Sequence, residues 1–307
     1  MDRATRANDR SRLPGTPCPK HRWLGSDGLW IAGDSWGDPG GPLVVLLHGG
    51  GQTRHAWKGT GALLGEAGCH AIALDARGHG DSDWSASGDY SPDSMVRDLQ
   101  AVLSTVGGCT PVLIGASMGG ITSLVAAGEE RVNAAALILV DIVPRCEPQG
   151  VARIKAFMQQ RPDGFASLDE VAEEISHYQP QRSRPASTKG LAKNLRRSAD
   201  GRLHWHWDPR YLSAAPDLAG RYQRLSACAQ RLRLPTLLVR GAQSDVVTDE
   251  GVRDFMSLCP HAESLNVAEA SHMVAGDQND LFGRAAWNFL QCHLGLKRQD
   301  VINEIRS

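Results

Sequence analysis

The chain lacks any apolar stretch approaching the roughly 20 residues that a membrane-spanning helix needs. It also lacks a C-x-x-C pair and any Cys/His run with metal-ligand spacing. Its seven cysteines, Cys18, Cys69, Cys109, Cys146, Cys228, Cys259 and Cys292, are odd in number and far apart. That pattern favours reduced thiols in a cytoplasmic protein over a disulfide framework. No charge of one sign dominates: 33 Lys and Arg face 34 Asp and Glu. There is thus no overall field to attract nucleic acid or a membrane. The first twenty residues, Met1 to Lys20, hold no apolar run and do not read as a secretory signal. They are expected to be a disordered leader. No internal repeat is present. What remains is a 307-residue chain, enough for one large core or one core with a substantial insertion.

What is present is an alternation. Pro42–Leu47, Ala71–Leu74, Val112–Ile114, Ala135–Val140 and Leu237–Val239 are short apolar runs, the mark of strands buried on both faces. His21 to Trp36 reads as an edge hairpin around Gly25-Ser26-Asp27-Gly28. Stretches at helical spacing separate the runs. One opens with Ser91 as N-cap and Pro92 at the first position. Strands and helices in this rhythm predict a mostly parallel, doubly wound α/β sheet. After Pro144 the rhythm stops. Val151–Gln160, Ser167–His177 and Thr188–Arg197 look like short amphipathic helices, and residues 145–228 are expected to be a helical insertion. That insertion carries 14 Lys and Arg against 9 Asp and Glu. The core is then expected to comprise residues 21–144 and 229–307.

Gly115-Ala116-Ser117-Met118-Gly119 is a G-x-S-x-G pattern between an apolar run and a helical stretch. In that context it is a candidate nucleophile elbow, a sharp turn that needs small residues around the serine. A serine hydroxyl requires a base, and the base an orienting carboxylate. On such a sheet they follow the serine in the order acid, then histidine, each past the end of a strand. Asp245 lies five residues beyond Arg240, and His272 five residues beyond the predicted strand Glu263–Val267. Asp245 is preferred as the acid. Asp141, at the end of the preceding strand, is the competitor, and Asp249 is expected to open the next helix. The oxyanion hole requires two backbone N–H groups. Met118, just after the serine, supplies one, and Gly50 in His48-Gly49-Gly50-Gly51 supplies the other by position.

His48-Gly49-Gly50-Gly51, Asp75-x-Arg77-Gly78-His79-Gly80-x-Ser82, Gly115-x-Ser117-Met118-Gly119-Gly120 and the late Asp245/His272 pair together resemble the α/β-hydrolase superfamily. The likeness covers roughly residues 22–143 and 229–295. It implies the α/β-hydrolase fold, a helical lid after the sixth strand where residues 145–228 fall, and a serine hydrolase of carboxylic esters that needs no cofactor and no metal. Within the superfamily, epoxide hydrolases and haloalkane dehalogenases carry Asp at the elbow, against Ser117 here. The C–C hydrolases usually carry His-Gly-Ser-Gly-Pro-Gly, from which His48–Gln52 departs. C–C hydrolysis, lactonase or perhydrolase chemistry with the same triad stays open, as does a ligand receptor on this scaffold.

His48 and His79 are expected to stabilise loops. His204-Trp205-His206 has an H-x-H spacing, but Trp205 and Trp207 alternate as one apolar face and are expected to cover the pocket or pack the lid. Gly49, Gly51, Trp205 and Trp207 are the candidate pocket residues. The basic lid, with Tyr178 and Tyr211, suggests a small aromatic or alkyl monoester that also bears a carboxylate, such as a monoalkyl phthalate. The expected partners are that small ester and water.

Overall fold

The computed structural model describes residues 11–107, 110–178, 188–213, 217–268, 270–272 and 279–296. Its main sheet has eight strands: β2 (His21–Leu24), β3 (Trp30–Trp36), β4 (Leu43–Leu47), β5 (His70–Leu74), β6 (Val112–Ala116), β7 (Ala136–Val140), β10 (Thr236–Gly241) and β11 (Glu263–Val267). A short strand β1 (Ser11–Arg12), with β8 (Leu195–Arg197) and β9 (Leu203–Trp205), lies outside it. The order is β11-β10-β7-β6-β4-β5-β3-β2, parallel throughout except for the antiparallel pairs β2/β3 and β3/β5. The edge hairpin and the doubly wound sheet are thus as the sequence predicts.

The pleat explains the apolar runs. Leu43, Val45 and Leu47 of β4 enter one core cluster, and Val44 and Leu46 enter the other. The first cluster packs α2 (Pro92–Val106), α3 (Met118–Gly128), α6 (Leu218–Arg231) and α7 (Asp249–Leu258) on one face through Leu99, Leu124, Leu225 and Phe255. The second packs α1 (Lys58–Glu66) and α8 (Asn279–Leu294) on the other through Leu64, Phe282 and Leu290. Ser91 caps α2, its hydroxyl accepting from the Ser94 N–H at 3.3 Å, with Pro92 at the first position. The chain leaves β4 toward β5 on one side and returns with β6 on the other. That reversal opens a crevice at the carboxyl ends of β4 and β6.

The insertion differs from the sequence expectation in three ways. It is not all helix. α4 (Pro148–Met158) and α5 (Leu168–Tyr178) are helical as expected, but Leu195–Arg197 and Leu203–Trp205 pair as an antiparallel ribbon. Three-residue strands are too short to show a period. Secondly, the leader is partly built in: Ser11–Arg12 pair with β8, and Leu13 is buried in a separate apolar cluster with Phe165, Leu195 and Trp205. Residues 1–10 lie outside the described residues. Thirdly, α6 is a core helix. Its Cys228 lies so close to Gly128 of α3 that a Cβ there would stand 2.5 Å from the Cys228 Cβ. Among the described residues no helix is long and apolar enough to cross a membrane.

Candidate active site

Ser117 sits between β6 and α3 with φ 46° and ψ −110°, a strained conformation for a residue with a Cβ. The tightness has a cause in the neighbours. A Cβ on Gly119 would stand 2.3 Å from the Leu47 carbonyl oxygen, and one on Gly115 would stand 2.3 Å from that of Gly119. Only glycines let α3 start this close to the sheet. The turn is fixed by Ser117 N–H donating to the Val140 carbonyl (3.0 Å) and Gly119 N–H donating to that of His48 (3.1 Å). These two bonds also tie Ser117 to the ends of β7 and β4. Met118 opens α3, so its N–H belongs to the group with no acceptor inside the helix.

The residue after Val140 is Asp141, fully buried and at φ 49°. The His272 Nδ1–H donates to its Oδ2 at 2.6 Å, and the imidazole is 11% exposed. The same carboxylate accepts from the Gly241 N–H (3.0 Å) and the Ser244 hydroxyl (2.5 Å). Gly241 is what lets the histidine loop approach. A Cβ there would stand 2.2 Å from the Ser271 carbonyl oxygen, and Gln243 N–H donates to the Ala270 carbonyl at 2.9 Å. With Nδ1 engaged, Nε2 is the nitrogen left for a serine proton. The Ser117 hydroxyl makes no hydrogen bond among the described residues. Such general-base contacts are often long until substrate binds.

The preferred acid is corrected. Asp245 does not meet His272; its carboxylate pairs with Arg153 of α4 at 2.9 Å. The loop after β10 bends so that Ser244 faces Asp141 and Asp245 faces Arg153 of α4. Asp249, as expected, opens α7, with Thr248 as the N-cap. Met273 and Val274, beside His272, lie outside the described residues.

The loop after β4 supplies the other wall. Gly49 lies beside the serine: a Cβ there would stand 3.4 Å from the Ser117 Cβ, and its N–H donates to Gln52 Oε1 at 2.9 Å. Gly50 faces Tyr211, where a Cβ would stand 3.0 Å from the phenol hydroxyl. Gly51 faces Met158 and Trp207, with the indole 3.4 Å from a would-be Cβ. Trp205 and Trp207 share one face and stack at 5.0 Å and 11°. Trp207 therefore touches the glycine loop, while Trp205 packs edge-on against Phe165. Phe157 and Tyr178 stack at 4.2 Å beside them. Burial pushes the Tyr178 phenol up to about 12.

His206 points the opposite way from the two indoles. Its Nδ1 accepts from Gly80 N–H at 2.7 Å and its Nε2–H donates to the Gly51 carbonyl at 3.2 Å. His48 Nδ1–H donates to the Gly49 carbonyl (2.8 Å), while its Nε2 accepts from Ala76 N–H (3.0 Å). Burial lowers both histidines, and pulls His79 between them down to about 3. All three are neutral loop supports. The Asp75–Ser82 motif is explained in the same way. Asp75 takes the Arg54 N–H (2.7 Å) and guanidinium (2.5 Å), Arg77 reaches Asp98 (2.6 Å), and Ser82 binds the Asp75 carbonyl (2.6 Å). The 195–208 stretch is fixed to this loop through Arg196 on Asp81 (2.9 Å) and Asp208 N–H on the Gly78 carbonyl (2.9 Å). These residues hold the loops around the site in place.

Comparisons with known proteins bear on what the site belongs to. The family model described as alpha/beta hydrolase fold matches residues 42–277. The chain is 30% identical over 253 residues to the esterase Rv0045c of Mycobacterium tuberculosis, covering 79% of this chain and 80% of that protein. It is 27% identical over 258 residues to the 3-hydroxybutyrate-oligomer hydrolase of Cupriavidus necator, covering 79% and 86%. A crystal structure of the Mycobacterium tuberculosis esterase superposes with TM-score 0.69 at 28% identity, over 90% of this chain and 92% of that one.

Proposed function

Because the chain belongs to the α/β-hydrolase fold family, we propose that it hydrolyses carboxylic esters through an acyl-enzyme formed on Ser117. The observation that carries this reading is the 2.6 Å bond between His272 Nδ1 and buried Asp141, on the sheet edge where Ser117 is held at φ 46°. In the proposed mechanism His272 Nε2 takes the Ser117 proton as Oγ attacks the ester carbonyl. Asp141 keeps the imidazole in the required tautomer and stabilises the imidazolium. Developing charge on the carbonyl oxygen is met by the N–H groups of Met118 and Gly50, each such donor being worth ~10²–10³ in rate. The imidazolium then protonates the leaving alcohol. Water, deprotonated by the same nitrogen, releases the acid and restores Ser117. No cofactor takes part.

The substrate is assigned as a small aromatic or alkyl monoester, monoalkyl phthalates included. Trp207 against Gly51, with the Phe157–Tyr178 stack beside it, supports an apolar, flat-walled pocket. The cysteine pattern supports a cytoplasmic setting. Steady-state hydrolysis of p-nitrophenyl butyrate by wild type and Ser117→Ala tests the reading. Sustained turnover that disappears in the variant is expected. Turnover surviving in Ser117→Ala refutes the nucleophile, and a single burst without turnover would mark a receptor instead.

A further inference from the structure

Three arginines lie almost wholly inside the described structure, and each holds carboxylates. Arg54 meets Asp34, Asp75 and Asp81; Arg77 meets Asp27 and Asp98; Arg196 meets Asp81. The lid cations nearest the site are matched too: Arg153 by Asp245, and Arg210 by Asp208. Arg221 departs from this pattern. It stands in the first turn of α6, on the face that carries Leu225 and Cys228 into the core. Since α6 leads back to the start of β10, its first turn lies at the carboxyl edge of the sheet, with Ser117, Asp141 and His272.

The Arg221 Nε is buried without an acceptor, and its Nη2 donates to Cys146 Sγ at 3.3 Å. Among the described residues no carboxylate meets its nitrogens. Cys146 in turn donates to the Val143 carbonyl at 3.1 Å, on the short loop that leaves Asp141. Tyr211 lies within the field of the same cation. Burial drives its phenol to about 12, with Arg221 pulling the other way. Its hydroxyl stands over Gly50 and makes no hydrogen bond among the described residues. A partly desolvated guanidinium without a counter-charge is costly, and its planar fork matches a carboxylate.

We propose that Arg221 is the anion-binding residue of the pocket, and that the ester cleaved at Ser117 carries a free carboxylate held by its guanidinium with the Tyr211 hydroxyl as second donor. This rests on the esterase reading of Ser117. The substrate class is then a half-ester of a dicarboxylic acid, the second carboxylate being the recognition handle.

The test measures kcat/KM for monoethyl phthalate and diethyl phthalate in wild type, Arg221→Gln and Arg221→Lys. Wild type is expected to favour the half-ester. In Arg221→Gln the ratio of half-ester to diester should fall by about 10–100-fold, the worth of one charge-assisted hydrogen bond, and mainly through KM. Arg221→Lys should recover part of it. A second measurement needs no variant: phthalate should inhibit wild-type hydrolysis of p-nitrophenyl butyrate competitively, and far better than phthalamide. A wild-type preference for the diester, an equal fall on both esters, or equal inhibition by phthalate and phthalamide overturns the proposal while leaving the esterase reading intact. Absence of turnover on every ester overturns both.

Discussion

Replacing Asp141 by Asn and Asp245 by Asn separates the two candidate acids. Asp141 is fully buried, accepts from His272 at 2.6 Å, and is held by Gly241 and Ser244. An Asn there keeps the shape but presents an amide to a ring nitrogen that must itself be a donor. The imidazole is pushed toward the wrong tautomer, and the imidazolium formed in the transition state loses its counter-charge. The corresponding change in a serine-histidine-aspartate triad lowers kcat by about 10⁴-fold, roughly 5 kcal/mol of barrier. Asp245 is a different case. Its side chain is 35% exposed and its partner Arg153 is 60% exposed. Such a pair is worth ~0–1 kcal/mol of stability and has no contact with the imidazole. Asp245→Asn should therefore keep kcat within about two-fold, by the same barrier arithmetic. The assay is steady-state hydrolysis of p-nitrophenyl butyrate, with thermal melting to confirm that both variants fold. Equal losses in the two variants, or a larger loss in Asp245→Asn, would refute the assignment of Asp141.

Three further outcomes follow from the packing. His48, His79 and His206 are held neutral by burial, His79 down to about 3, whereas in the unfolded chain each titrates near 6.5. The unfolded state thus binds more protons below about pH 6.5. Stability is whole above that value and is lost on acidification, by up to about 1.4 kcal/mol per pH unit for each histidine. Urea midpoints that stay flat from about pH 7 to about pH 5 would contradict this. Arg54→Leu leaves fully buried Asp75 without its cation and should destabilise by about 3–5 kcal/mol; a loss below about 1 kcal/mol in urea unfolding would show the network to be dispensable. Gly119→Ala drives a methyl to 2.3 Å from the Leu47 carbonyl oxygen and should lose at least about 2 kcal/mol, checked by the melting temperature. An unchanged melt would mean that the elbow can open.

What the sequence showed and what it hid have physical reasons. The central strands were legible because Leu43–Leu47 and Ala136–Val140 are buried on both faces, which leaves no polar position to break the run. The elbow was legible because its glycines meet backbone atoms that no side chain could displace. The acid was harder. Asp141 and Asp245 both follow a strand of the same edge, and the choice depends on how the 241–247 loop bends. That bend is set by the Ser244 hydroxyl on Asp141 and by Arg153 on Asp245, contacts between residues about a hundred apart in sequence. Ser244 was the available signal, a hydroxyl three residues past the end of β10. The ribbon β8–β9 was hidden because three residues give no periodicity, and the insertion ends before Asp217 because α6 turns Leu225 and Cys228 into the core. Arg221 was one cation among fourteen in that region. Its distinction is the missing partner, which only packing reveals.

The most direct test of the account is covalent. A p-nitrophenyl alkylphosphonate should react with Ser117 Oγ, expelling p-nitrophenolate and leaving one phosphonyl group on the protein. Intact-mass measurement with peptide mapping is expected to find one adduct, on the peptide carrying Ser117. It should be absent in Ser117→Ala and form far more slowly in Asp141→Asn than in Asp245→Asn. An adduct of the same yield in Ser117→Ala, or one mapped to another serine such as Ser244, would contradict the claim that Ser117 is the nucleophile that Asp141 and His272 activate.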